Sequence, residues 1–69
     1  MKTIKINTEY IELGKLLKMI NVISSGGEAK YYLREKPVLL NGETEDRRGK
    51  KLYPGDVVKI ENEEYTISD

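Results

Sequence analysis

The 69-residue chain has no cysteine, no histidine, no tryptophan and no phenylalanine. Without cysteine there is neither a disulfide scaffold nor a thiolate metal site. Without histidine the commonest general base and the commonest side-chain metal ligand are both missing. No 18-residue apolar run occurs, which excludes a transmembrane helix. The first residues hold no signal-peptide core, because Lys2 and Lys5 flank only Ile4 and Ile6. The expectation is a cytoplasmic protein with no metal and no cofactor. Net charge is absent as well, since 12 basic side chains balance 12 acidic ones.

Length sets a further bound. A chain of this size is one domain, residues 1–69, and buries only about 60% of its extended surface. It can hardly enclose a small-molecule pocket of the usual ~300–1,000 Å³. Function is therefore expected on an outer surface, by binding and not by catalysis.

The balanced charge conceals a division along the chain. Between Lys15 and Lys51 nine basic residues face five acidic ones, a balance of +4. The last 14 residues carry Asp56, Glu61, Glu63, Glu64 and Asp69 against Lys59 alone, a balance of −4. Such asymmetry marks a side that faces a polyanion. The plainer reading is a solvated surface of alternating charge. The acidic C-terminal strands raise the separate prospect of a protein partner.

Local patterns define the elements. Lys2-Thr-Ile-Lys-Ile6 alternates polar and apolar residues, as a half-buried strand does. Leu13, Leu16, Leu17 and Ile20 fall on one helical face and leave Lys15 and Lys18 projecting outward. Gly14 inside that helix costs up to about 1 kcal/mol against Ala, which points to a close packing contact. The helix ends near Asn21, with Val22 and Ile23 filling the space below it. Ser25 and Glu28 have capping-box spacing, with Ser25 as the cap and Glu28 reaching back. A second helix runs to about Glu35, with Ala29, Tyr32 and Leu33 inward and Lys30 and Arg34 on the other face. Pro37 stops it at or before Lys36. Val38-Leu39-Leu40, Asn41-Gly42 and Glu43-Thr44 make a tight hairpin. Residues 46–51 form a basic loop, Pro54-Gly55 is a turn, and Val57–Ile60 and Tyr65–Ile67 are strands. The order β-α-α-β-β-β-β predicts an α+β domain.

Few constellations bear chemistry. Gly26-Gly27 at a helix start leaves N–H groups open to a phosphate, although two glycines after a serine are also ordinary loop geometry. Lys30 and Arg34, joined by Arg47, Arg48, Lys50 and Lys51, form a cationic set suited to phosphates. The alternative is that these cations solubilise the protein and pair with Glu43, Glu45 and Asp46. All five aromatics are tyrosine. Tyr32 and Tyr65 read as core, and Tyr10 and Tyr53 as edge fillers with a wet hydroxyl. Tyr31, beside Lys30, is the ring expected on the exposed face and able to meet an unpaired base. Asp56 and Asn41 read as turn formers, not as catalytic groups.

Taken together, residues 13–60 resemble the S4 RNA-binding domain. The family's pattern is a leucine-bearing helix, a Ser-x-x-x-Ala-Arg/Lys helix, Val-x-Val-Asn-Gly, and Pro-Gly-Asp before a hydrophobic strand. Here these stand as Leu13/Leu16/Leu17, Ser25-Gly-Gly-Glu-Ala-Lys30, Val38-Leu-Leu-Asn-Gly42 and Pro54-Gly-Asp-Val-Val58. The Gly-Gly-Glu-Ala-Lys version, with Arg47-Arg-Gly-Lys-Lys-Leu52, is most similar to the small stand-alone bacterial S4-like proteins. The resemblance implies two helices packed on a small, mostly antiparallel sheet with an added N-terminal strand. It also implies RNA contact through Ser25, Gly26, Gly27, Lys30 and Arg34, supported by the basic loop. Lys15, Lys18 and Tyr31 complete the candidate RNA-binding set. Before the first helix the chain has Ile11-Glu12-Leu13 where the family often has Arg-Leu-Asp. The partners implied are structured RNA, ribosomal or transfer RNA, and the large ribosomal subunit. They place the protein in ribosome assembly or ribosome-associated quality control. A ubiquitin-like β-grasp interaction module shares the N-terminal strand, the Asn-Gly turn and the late Gly-Asp-Val-Val strand. Its sulfur-carrier form needs a Gly-Gly end, and this chain closes on Ile67-Ser68-Asp69.

Overall fold

The computed structural model describes all residues, Met1–Asp69. The elements are β1 (Lys2–Lys5), β2 (Ile11–Glu12), α1 (Leu13–Met19), α2 (Glu28–Glu35), β3 (Val38–Leu40), β4 (Glu43–Glu45), β5 (Lys51–Leu52), β6 (Val57–Ile60) and β7 (Glu63–Ser68). Five strands make one sheet in the order β1-β7-β6-β3-β4. All its neighbours are antiparallel except β1, which lies parallel to β7 on the edge. This is the α+β arrangement that the patterning predicts.

Two elements escape the pattern. Ile11–Glu12 and Lys51–Leu52 pair as a separate antiparallel ladder, β2–β5. Lys51 therefore sits in a strand and not in the basic loop. Two residues are too few to show a period of two, so no local signal marks them.

The core is formed by the leucine face of α1, Ala29 and Leu33 of α2, and Val38, Leu52, Val58, Ile60, Tyr65 and Ile67 from the strands. Leu13, Leu16, Leu17 and Leu33 are fully buried. Ile20, Val22 and Tyr32 pack against this cluster but stay half-buried. The end of α1 is a Schellman motif. Asn21 takes φ +64°, Asn21 N–H donates to the Lys18 carbonyl and Val22 N–H to the Leu17 carbonyl. Lys36, ahead of Pro37, terminates α2.

The capping box is realised differently. Ser25 does not cap with its hydroxyl; Gly27 occupies the N-cap position with no side-chain bond. Glu28 does reach back. Its Oε1 accepts the Ser24 N–H at 2.7 Å and the Ser25 N–H at 3.4 Å. The shift by one residue follows from Gly26 and Gly27 continuing as a turn, in which Glu28 and Ala29 N–H groups bond the Ser25 and Gly26 carbonyls.

The Asn-Gly hairpin has Asn41 at φ +51° and Gly42 at φ +89°, the left-handed pair of a two-residue turn matched to strand twist. Gly55 at φ +99° follows Pro54, and Asp56 N–H closes the turn on the Tyr53 carbonyl at 3.0 Å. These are the features of a type II turn.

Candidate nucleic-acid interface

The basic loop after β4 is attached to α1 through its backbone. Leu13 and Gly14 begin a helix, so their N–H groups lack intrahelical partners. Leu13 N–H donates to the Lys50 carbonyl at 2.9 Å and Gly14 N–H to the Arg48 carbonyl at 2.8 Å. Gly14 is what permits this approach. A Cβ there would stand 3.3 Å from both the Arg48 Cβ and the Arg48 carbonyl oxygen, and 3.4 Å from the Ala29 Cβ. The close contact expected at Gly14 is thus the junction of α1, α2 and the loop.

That junction gathers cations distant in sequence. Lys15, Lys18 and Arg48 line one open cleft of about 420 Å³ over Gly14, Gly26 and Gly49, with Glu12 on its rim and no apolar side chain in its wall. Lys30 and Arg34 are exposed on α2, whose Ala29 packs against the same glycine. Lys50, in the loop, is half-buried, and Lys51 is exposed on β5.

Ion pairing engages three of the 12 cations and leaves Lys5 and Lys59, outside the candidate set, unpaired as well. Lys2 pairs with Glu63 and Lys36 with Glu61, each at 3.9 Å, and Arg47 with Glu45 at 2.9 Å. Lys15, Lys18, Lys30, Arg34, Arg48, Lys50 and Lys51 pair with no carboxylate in the chain. The self-pairing alternative holds for Arg47 alone among the sequence-predicted cations. Glu45 is nearly buried and accepts the Arg47 backbone N–H, Nε and Nη2 at 3.0, 2.9 and 3.2 Å. Those bonds, led by the guanidinium, hold the Glu45 carboxyl below the usual carboxylate range. Arg47 thereby anchors the loop more than it extends the free positive surface.

Gly26 and Gly27 lie at the start of α2 as expected, with open space where a Cβ would stand. Ser24, which the sequence reading passes over, and not Ser25, bonds Glu28 through both backbone and hydroxyl. The Ser24 N–H bond leads in holding the Glu28 carboxyl below its ordinary value. Tyr31 is exposed on α2. Tyr32 is turned inward, and its hydroxyl donates to Glu61 Oε2 at 2.6 Å. Burial first and this bond second push its phenol far above the ordinary value. Among the acidic C-terminal residues, Glu61 and Glu63 are engaged by Lys36, Tyr32 and Lys2. Glu64 and Asp69 are exposed.

No group of three or more carboxylates converges as a metal site would. No helix is long and apolar enough to cross a membrane.

The fold agrees with what the chain is similar to. Residues 4–68 match the family model described as S4 domain. This span includes the Asn-Gly turn and the late Gly-Asp-Val-Val strand. The chain is also 59% identical, over 58 residues, to the "Probable ribosome maturation protein RlbA" of Bacillus subtilis (strain 168), covering 84% of this chain and 82% of that one. A leucine-faced α1, a glycine-led α2, the Asn-Gly hairpin and the Pro-Gly-Asp turn thus form one unit, and the chain belongs to the S4 domain family.

Proposed function

We propose that this protein is a non-catalytic RNA-binding protein that docks structured RNA, ribosomal RNA in particular, on the face made by α1, α2 and the basic loop. The observation that carries this reading is the cleft of Lys15, Lys18 and Arg48, none of them paired with a carboxylate, where the loop backbone bonds the start of α1. Duplex RNA hides its base edges in a deep groove, so recognition there runs through shape, phosphates and 2′-hydroxyls. Exposed lysines and arginines around a cleft without apolar walls suit such a target. The name of the Bacillus subtilis relative supports a place in ribosome maturation. That role puts its work in the cytoplasm, with the large subunit and its precursors as the first particles to test.

Titration against ribosomal RNA and a structured hairpin over a salt series tests the proposal. Affinity should fall by orders of magnitude between about 50 and 200 mM salt if several phosphates are contacted. Replacing Lys30 and Arg34 together with Glu should abolish binding and leave the circular-dichroism spectrum intact. Absence of binding at low salt overturns the reading; unchanged affinity of the double variant removes α2 from the site.

A further inference from the structure

The β2–β5 ladder has an outer face that the cationic cleft borders only through Glu12. Its register pairs Ile11 with Leu52 and Glu12 with Lys51, so the next positions outward are Tyr10 and Tyr53. Ile11 and Leu52 point inward and are buried, and alternation turns Tyr10, Glu12, Lys51 and Tyr53 to the opposite face. The two tyrosine rings meet there with centroids 5.8 Å apart and planes inclined by 50°. Lys51 Nζ stands 4.9 Å above the Tyr10 ring, within cation–π range. It leans on the ring instead of pairing with Glu12, its cross-strand neighbour.

Tyr53 is 43% exposed. It shares a shallow depression with Arg47, Gly49, Lys50 and Lys51. Gly49 also lines the cleft of Lys15, Lys18 and Arg48. The loop is therefore a ridge with a phosphate-type surface on one flank and an aromatic platform on the other. Tyr31, by contrast, is more exposed, at 65%, but has neither a ring nor a cation against it.

Resting on the RNA-binding reading above, we propose that the Tyr10–Tyr53–Lys51 patch is a stacking subsite for one unpaired nucleotide at the end of the bound RNA helix. The base lies on Tyr53 while Lys50 and Lys51 hold its flanking phosphate. Proteins that take single-stranded segments use this combination of a ring for the base and cations for the backbone. The ligand feature selected is a junction between duplex and single strand. Lys50 and Lys51, which line the depression and pair with no carboxylate, favour the anionic backbone of a nucleotide over the apolar arm of a protein partner.

Fluorescence anisotropy with three labelled hairpins tests it: one blunt, one with a single-stranded overhang, and one whose overhang is abasic. The overhang should tighten binding on the order of 5- to 150-fold, the range that stacking of one base supplies. The abasic overhang should lose most of that gain, because it keeps the phosphates and removes the base. Tyr53→Leu should bind the blunt hairpin as the unmodified protein does, which also shows that it is folded, and gain nothing from the overhang. Tyr53→Phe should keep the gain. Equal affinity for the base-bearing and abasic overhangs, or a gain retained by Tyr53→Leu, overturns the stacking subsite while blunt-hairpin binding leaves the broader reading standing. Binding of none of the three overturns both.

Discussion

Asn41 and Asp56, 15 residues apart, are joined side chain to side chain, with Asn41 Nδ2 donating to Asp56 Oδ1 at 3.1 Å. Asn41 also secures backbone beside the other turn, and Asp56 secures its own. Asn41 Oδ1 accepts the Val57 N–H at 2.9 Å, and Asp56 Oδ2 accepts the Tyr53 N–H at 2.8 Å. The Asn-Gly hairpin and the Pro-Gly-Asp turn, two pieces of the family's pattern, are thus a single polar joint between β3 and β6. Their residue types thus have a role in folding.

Asp56→Ala should therefore destabilise the protein by about 1–3 kcal/mol, the net worth of hydrogen bonds accepted by a charged carboxylate. Urea unfolding followed by circular dichroism measures this. RNA affinity, read well below the unfolding midpoint, should be unchanged. A large loss of affinity in the folded variant would place Asp56 in the interface instead.

Gly14→Val should separate the loop from α1. Even a Cβ meets the Arg48 carbonyl oxygen at 3.3 Å, and the added methyls must push that backbone away. Overpacking of this kind costs about 1–3 kcal/mol. Binding should weaken further than the stability loss explains, because Arg48 leaves the cleft with the loop. Wild-type affinity in Gly14→Val would show that the junction does not shape the interface.

Arg47 and Arg48 are adjacent but should behave differently. Arg48→Gln should make the slope of log K against log salt shallower by about 0.7–0.9, the contribution of one phosphate contact. Arg47→Gln should change it less, since Arg47 already serves Glu45 at 2.9 Å. Equal slopes for the two variants would contradict the pairing argument.

Glu45 gives the fold an acid-sensitive contact. Its carboxyl is held below the ordinary value of 4.5 by Arg47. The charged form is favoured in the folded state, so its contribution is complete above the unfolded value and is lost as pH falls through the folded one. The melting-temperature gap between the wild type and Glu45→Gln should be widest near neutrality and should close below about pH 4.5. A gap independent of pH would refute the assignment.

Much of this architecture is legible in the linear pattern. The leucine face of α1, the stop of α2 ahead of Pro37, and the Asn41-Gly42 and Pro54-Gly55 turns all depend on residues a few positions apart. Periodicity and backbone preference act at that range, and the family pattern is written in the same residues. The candidate cations are legible too, because nine of the 12 fall between Lys15 and Lys51.

What those cations do depends on contacts that no local rule specifies. Arg47 and Arg48 are neighbours of one type, yet one is spent on Glu45 and the other stands in the cleft. Ser24, not Ser25, meets Glu28 because the glycines extend the turn. The β2–β5 ladder, the loop carbonyls on Leu13 and Gly14, and the meeting of Tyr10 with Tyr53 join residues 34 to 43 positions apart in sequence. Most of these contacts use backbone groups that nearly every residue carries, so residue identity does not encode them. Residue identity sets the local elements and the stock of charge; packing across the domain sets which cations and rings remain free for a partner.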